Sequence, residues 1–238
     1  MADKWVLVTG ATGLIGKAIC NKLAKSGYAI VVHFHKQQEL AQQLVAGIES
    51  VGLSAVAVYA DLTQSASVQN LFEELKCKQI QLVGLVNNAG ADCGRFSVFE
   101  SDSALIEQAM KVNFYSAVDC IQLAITHMKE KGGSIVNVTS YAIETGGYRL
   151  AHYVAAKSAL AAYSKSIARE LAEFNIRVNN VSPAMVVSSN ESNQYINSDR
   201  FPMGRPCFSS EVAESVLWLL SEQSSYVSGT NLSLSGAR

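Results

Sequence analysis

Short apolar runs alternate along this chain with stretches whose apolar residues recur at helical spacing. Trp5–Thr9, Ala29–Phe34, Ser54–Tyr59, Leu82–Asn87, Ser134–Thr139, Ile176–Val181 and Asn231–Leu234 are strand-length and mostly apolar or β-branched. Runs apolar on both faces suit parallel strands covered on both sides. Helical patterns fill 14–26, 38–50, 65–77, 103–128, 153–174 and 210–221. In the first of these, Ile15, Ile19 and Leu23 form one stripe, and Gly27 is placed to end the helix just past its cap. Strand–helix alternation through the whole length predicts an α/β fold, a doubly wound parallel sheet of about seven strands with helices on both faces. With no linker, repeat or low-complexity tract, residues 1–238 read as a single domain. Only residues 183–209 resist assignment. They hold all three prolines, and the stretch at about 184–209 is expected to form a substrate loop.

Composition narrows the classes of function. Nearly half the residues (49%) are apolar and 16% are charged, which suits a buried core and argues against disorder. A net charge of −1 offers no electrostatic footprint for nucleic acid or an anionic membrane. No apolar stretch approaches the length of a membrane span. The first strand begins at Trp5 and leaves no room for an export signal; five cysteines without C-x-x-C spacing read as reduced thiols. Both point to a cytoplasmic protein. His33 and His35 alternate along a strand, but with no third ligand nearby no metal site is expected.

The candidate chemistry lies in Tyr153-Val-Ala-Ala-Lys157, with Ser140 upstream at the end of an apolar run. Of the nine tyrosines, only Tyr153 has a lysine four residues later. One helical turn separates the two, so both side chains project from one face. An ammonium beside a phenol favours the phenolate and is expected to lower its pKa, while a serine hydroxyl at the same point could hydrogen-bond a substrate oxygen. The bland alternatives are an aromatic and a charge on a helix surface, and a strand-end hydroxyl bonding its own backbone.

After the first strand comes Thr9-Gly10-Ala11-Thr12-Gly13-Leu14-Ile15-Gly16, then a helix. Glycines so placed allow a tight turn and close approach of the backbone to a pyrophosphate, and the helix N-terminus supplies N–H groups and a positive dipole end. The second strand ends in His33-Phe34-His35-Lys36, with no acid before Glu39. A carboxylate there would hold the ribose 2′-hydroxyl of NAD, whereas Lys36 and His35 would attract a 2′-phosphate. The expected cofactor is therefore NADP(H) rather than NAD(H).

Together these motifs make the chain resemble the classical short-chain dehydrogenase/reductase family over essentially its whole length. The resemblance also rests on Asp61-Leu62, Asn87-Asn88-Ala89-Gly90, Asn113 in Lys-Val-Asn, and Arg177-Val178-Asn179-Asn180-Val181-Ser182-Pro183. The closing stretch Gly204-Arg205-Pro206 to Gly229 looks like that of 3-oxoacyl-[acyl-carrier-protein] reductases. The resemblance implies a Rossmann-type fold, Tyr153 as general acid, Lys157 as its pKa-lowering neighbour and ribose ligand, Ser140 orienting the carbonyl, and Asn113 in a proton relay. It implies dinucleotide contacts from Gly10, Thr12, Gly13, Ile15 and Gly16, from His35 and Lys36, and from Asp61 and Leu62. Further contacts are implied at Asn88, Ala89, Gly90, Tyr153, Lys157, Pro183 and Val186. Asn113 and Asp61 could instead be a helix-kinking and a helix-starting residue.

Departures accompany the likeness. Gly13 stands beside Leu14 where the family has its glycine one position later, Ala184 follows Pro183, and the tail reads Ser235-Gly236-Ala237. The implied function is NADP(H)-dependent reduction of a ketone, a 3-oxoacyl thioester or related small carbonyl. The alternatives are a dehydrogenase for a free alcohol, sugar or polyketide-type substrate, and a non-catalytic nucleotide sensor. Acyl carrier protein is a candidate partner, with Lys129 and Lys131 read either as contacts for it or as no more than a solvated helix end, and a homotetramer or dimer is implied.

Overall fold

The computed structural model describes residues 4–188 and 201–238. Strands β1 (Trp5–Val8), β2 (Ala29–Phe34), β3 (Ala55–Tyr59), β4 (Leu82–Asn87), β5 (Gly133–Val138), β6 (Ile176–Pro183) and β9 (Asn231–Leu234) form one sheet. Its order is β3-β2-β1-β4-β5-β6-β9, with every pairing parallel. Helices α1 (Leu14–Lys25), α2 (Gln38–Glu49), α3 (Ser65–Cys77), α4 (Ser103–Met110), α5 (Ser116–Met128), α6 (Ala142–Thr145), α7 (Ala151–Leu171) and α8 (Ser209–Leu220) make the crossovers.

Consecutive apolar residues separate to opposite faces. Val6 and Val8 join Ile19, Leu23, Val212 and Val216 in a core layer beneath α1 and α8. Leu7, between them, joins Leu71, Leu75, Ile121 and Ala124 beneath α3 and α5. Burying such a side chain is worth about 1.5–3 kcal/mol, so a helix-covered sheet is the stable home for runs that a half-exposed strand could not carry.

Gly27 sits where its spacing predicts. With φ 87°, it donates to Ala24 O at 2.8 Å while Tyr28 N–H reaches Leu23 O at 3.1 Å, closing α1 with two crossed bonds.

Three differences from the pattern reading have local causes. The single helix expected over 103–128 is α4 and α5 joined through a π turn, Lys111–Tyr115. There Asn113 takes the Ala109 carbonyl with its own Nδ2 at 3.1 Å. β6 runs past Val181 to Pro183 because β9 pairs with it as far as Leu234. Inside the predicted loop lies a two-residue parallel ladder, β7 (Val186–Val187) with β8 (Cys207–Phe208). The part of that loop at 189–200 lies outside the described residues.

The strand order reverses between β1 and β4. Connections after these two strands diverge to opposite sides and leave a crevice at the carboxyl edge of the sheet, where ligands of such folds bind.

Candidate active site

The floor of the crevice is the Thr9–Gly16 turn. Gly10 adopts φ +61°, and a Cβ there would stand 2.9 Å from the Ala89 Cα, so only glycine fits. Thr9 Oγ1 accepts the N–H groups of Asn88 and Ala89, both at 3.0 Å, and Asn88 Nδ2 donates to the carbonyls of Thr9 (2.9 Å) and Gly10 (3.1 Å). A Cβ on Gly16 would meet the Gly10 carbonyl at 2.3 Å, so this glycine serves helix–turn packing rather than the crevice wall. At Gly13 a Cβ would meet only ordinary contact at 3.4 Å.

No side chain caps α1, and its first turn carries no acid. Its leading N–H groups are thus available to an anion. From this turn a cavity of about 630 Å³ runs along the ends of β2 and β3. Gly10, Thr12, Gly13, Ile15, His35, Lys36, Asp61, Leu62, Asn88, Ala89, Gly90 and Val186 line it, as does His33. An uncapped helix, a turn admitting only glycine and an exposed Lys36 in place of a carboxylate fit a phosphorylated dinucleotide. The acid nearest Lys36 on that wall is Asp61. Its carboxylate is held below its usual range, first by the Thr63 hydroxyl at 2.7 Å, and His35 Nε2 stands 3.9 Å away.

His33 was legible only as a strand residue. The structure buries it and gives both ring nitrogens a partner: Nδ1 accepts Gly10 N–H at 3.0 Å, and Nε2 faces Ala60 O at 3.0 Å. The carbonyl requires the proton on Nε2. Burial lowers the imidazole to about 4, so it stays neutral. A lone polar residue in the apolar run Ile30–Phe34 was the available signal.

A second cavity, about 290 Å³, adjoins the first and shares Ile15, Asn88, Gly90 and Val186 with it. Ser140, Tyr153, Lys157, Pro183 and Asp92 line it. β5 delivers Ser140 and one turn of α7 delivers Tyr153 and Lys157. Ser140 Oγ accepts Ala142 N–H at 3.2 Å, and Ser140 and Tyr153 line the same cavity. Lys157 is buried, its Nζ donating to Val138 O at 2.8 Å and lying 5.9 Å from the Tyr153 ring centroid. Burial brings its ammonium down to about 8.

The expected lowering of the phenol is not found. Burial raises Tyr153, the Ser140 hydroxyl opposes, and the Asp92 charge raises it further. The ammonium is directed at a backbone carbonyl of β5, and desolvation dominates.

Asn113 lies behind both residues. Its Nδ2 donates to Ala91 O at 2.8 Å and its Oδ1 accepts Ala91 N–H at 3.1 Å. A Cβ on Gly90 would stand 2.6 Å from that Oδ1 and 3.1 Å from Lys157 Nζ, so glycine here lets the three segments close up. The π turn carrying Asn113 is the sort of helix irregularity that turns a side chain out of the regular ladder.

One other expectation moves. Lys129 and Lys131 precede β5, and in a parallel sheet the helix-to-strand connection lies at the amino edge. Lys131 accordingly lines a separate cavity with Lys4 and Arg177, and Lys129 rests on the Phe174 ring, away from the crevice. Arg149 is paired with Glu100 at 2.9 Å, and Tyr148 is exposed outside the cavity wall. Among the described residues no group of three or more metal-ligating side chains occurs, and no helix is long and apolar enough to cross a membrane.

Comparisons with known proteins agree with this geometry. A family model described as short chain dehydrogenase matches residues 4–199. A 3-oxoacyl-[acyl-carrier-protein] reductase of Staphylococcus aureus is 30% identical over 240 residues, covering 98% of this chain and 97% of that protein. An uncharacterized oxidoreductase of Bacillus subtilis is 32% identical over 244 residues, 98% of each chain. Among solved structures, acetoin dehydrogenase from Enterobacter cloacae superposes with a TM-score of 0.92 at 31% identity, covering 99% of this chain and 96% of that one. Acetoin dehydrogenase from Salmonella typhimurium gives 0.88 at 31% identity, with the same coverage.

Proposed function

This chain belongs to the short-chain dehydrogenase family and is an oxidoreductase, and on that premise we propose that it reduces a ketone with NADP(H), the substrate being a 3-oxoacyl thioester or a related small carbonyl. The observation that carries the reading is that Ser140, Tyr153 and buried Lys157 line one cavity, which shares Ile15, Asn88, Gly90 and Val186 with the glycine-turn crevice. The dinucleotide would be held by the α1 amides, with Lys36 and His35 at the adenine-ribose phosphate and Asp61, Leu62, Asn88, Ala89 and Gly90 along the wall. Pro183 and Val186 would flank its nicotinamide end. When bound, the reduced nicotinamide supplies the hydride.

The remaining chemistry is the protein's. Burial keeps Tyr153 protonated at neutral pH, so its phenol can give a proton to the carbonyl oxygen as negative charge develops there. Ser140 Oγ already accepts Ala142 N–H, which leaves its own proton for the same oxygen. Lys157 offers a charge next to the phenolate that results. Asn113, fixed against Ala91, would anchor the return path for the proton from Lys157 towards solvent.

A second reading, interconversion of a small free hydroxyketone, is favoured by the two solved structures named as acetoin dehydrogenases. Residues 1–238 would act as one domain in the cytoplasm, as a homotetramer or dimer, which sedimentation would test. The decisive experiment follows loss of reduced-nicotinamide absorbance with NADPH and NADH against acetoacetyl thioesters and small free ketones. Turnover with NADPH supports the proposal. Nucleotide binding without turnover across the panel would sink it in favour of a nucleotide sensor.

A further inference from the structure

Asp92 is the one acidic side chain on the described wall of the catalytic cavity. Its place is set from the helix that carries the phenol. Buried His152, the neighbour of Tyr153, donates Nε2–H to the Asp92 carbonyl at 2.8 Å, and Phe96 packs edge-on to the same imidazole at 5.9 Å. Oδ1 of Asp92 accepts Gly94 N–H at 3.1 Å, and positive φ values at Cys93 (59°) and Gly94 (93°) fold the chain back beneath it. The second carboxylate oxygen has no hydrogen-bond donor among the described residues. Its charge reaches the active phenol, where it raises Tyr153.

Among the described residues no cation balances Asp92 within the cavity. Lys157, the only basic side chain on the described wall, is buried and bonded to Val138 O. Arg95 and Arg149 of the flanking loops are engaged, Arg95 with the Tyr148 carbonyl at 3.1 Å and Arg149 with Glu100. A carboxylate on the substrate would therefore meet an unneutralised like charge in a small cavity. A hydroxyl close to the reacting carbonyl would find an acceptor.

We propose that Asp92 determines substrate class: it accepts a hydrogen bond from a hydroxyl adjacent to the carbonyl of a small uncharged ketone, and it turns away oxo acids of the same size. The proposal rests on the reading of Ser140 and Tyr153 as the carbonyl site and narrows its substrate. Asp92 belongs to an exposed loop, so its replacement leaves the core intact.

The test compares kcat/KM for 3-hydroxybutan-2-one, butan-2-one and 2-oxobutanoate in the unaltered enzyme, Asp92→Asn and Asp92→Ala. NADPH affinity and thermal melting serve as controls for folding. The expected order in the unaltered enzyme is hydroxyketone, then ketone, then oxo acid. Asp92→Asn should raise the oxo acid relative to the ketone by about tenfold, and Asp92→Ala should remove a hydroxyketone preference of similar size, the worth of one charge-assisted hydrogen bond. Unchanged ratios in both variants overturn the proposal while leaving the carbonyl-reductase reading standing. Absence of turnover with any carbonyl compound in the unaltered enzyme overturns both, and is visible before any Asp92 variant is made.

Discussion

On the β1–β3 side of the crevice, the turn is held by neighbours that approach it in fixed pairs. Gly10 N–H has His33, the Gly10 and Thr9 carbonyls have Asn88, and the Asn88 and Ala89 amides have Thr9. On the β4–β6 side, the cavity is assembled from the ends of β4, β5 and β6, one turn of α7 and a π turn. Behind it lie two polar sets: Asn87 donates to Asn137 at 2.8 Å and Asn137 to Ser164 at 2.8 Å, while Thr139, Ser182 and Asn231 bond to one another. The first region is a rigid seat made of backbone, and the second is a set of side chains converging from distant segments. Affinity for the dinucleotide should depend on the one, and turnover on the other.

That division can be broken by experiment. Tyr153→Phe should reduce turnover by about 10²–10⁴-fold, as loss of a general acid does, with NADPH affinity nearly unchanged by fluorescence titration; a variant of full activity would remove the phenol from the chemistry. Gly10→Ala should act in the opposite sense. Forcing a Cβ into φ +61° against the Ala89 backbone costs about 2 kcal/mol or more, seen as a fall of about 5 °C or more in Tm together with lost dinucleotide binding.

His33→Leu strands the Gly10 N–H and the Ala60 carbonyl, about 1–3 kcal/mol for each buried group. His33→Asn keeps an acceptor for Gly10 and should recover part of the nucleotide affinity. The same residue carries a pH signature. With its folded pKa near 4 against an ordinary 6.5, the unfolded chain binds more protons between those values. Stability from His33 is thus present above pH 6.5 and lost as pH falls towards 4, and His33→Leu should flatten that slope in urea unfolding. The smallest effect is expected at exposed Lys36. Lys36→Asp should move preference towards NADH by about tenfold in kcat/KM, since one phosphate contact becomes a repulsion; no shift would mean that the 2′-phosphate is recognised elsewhere.

The legibility of the two regions differs for the same reason as their construction. Gly10, Gly27, Tyr153 and Lys157 obey short-range rules, a left-handed turn or one helical turn, and spacing alone placed them. Asn113 was placed by resemblance to a family pattern, and Ser140 was picked out only as a hydroxyl at the end of an apolar run, because nothing local ties either to Tyr153. His33 was not read as a functional residue and Asp92 was not singled out within its loop, since their partners lie 23 residues away for His33 and 60 for Asp92. For Lys129 and Lys131 the sequence left a carrier contact and a solvated helix end both open, and parallel connectivity, which puts them at the amino edge of the sheet, favours the second.

The order of strands and helices, the glycine turn and the helical Tyr-x-x-x-Lys pair were thus determined by sequence, through periodicity and backbone sterics. The direction of the Tyr153 shift, the tautomer of His33, the tie of Asp92 to the phenol's helix and the interruption of the 103–128 helix at Asn113 were decided by tertiary structure. Those properties depend on burial and on the meeting of segments far apart in the chain, and desolvation is a property of the assembled neighbourhood that no run of residues carries alone.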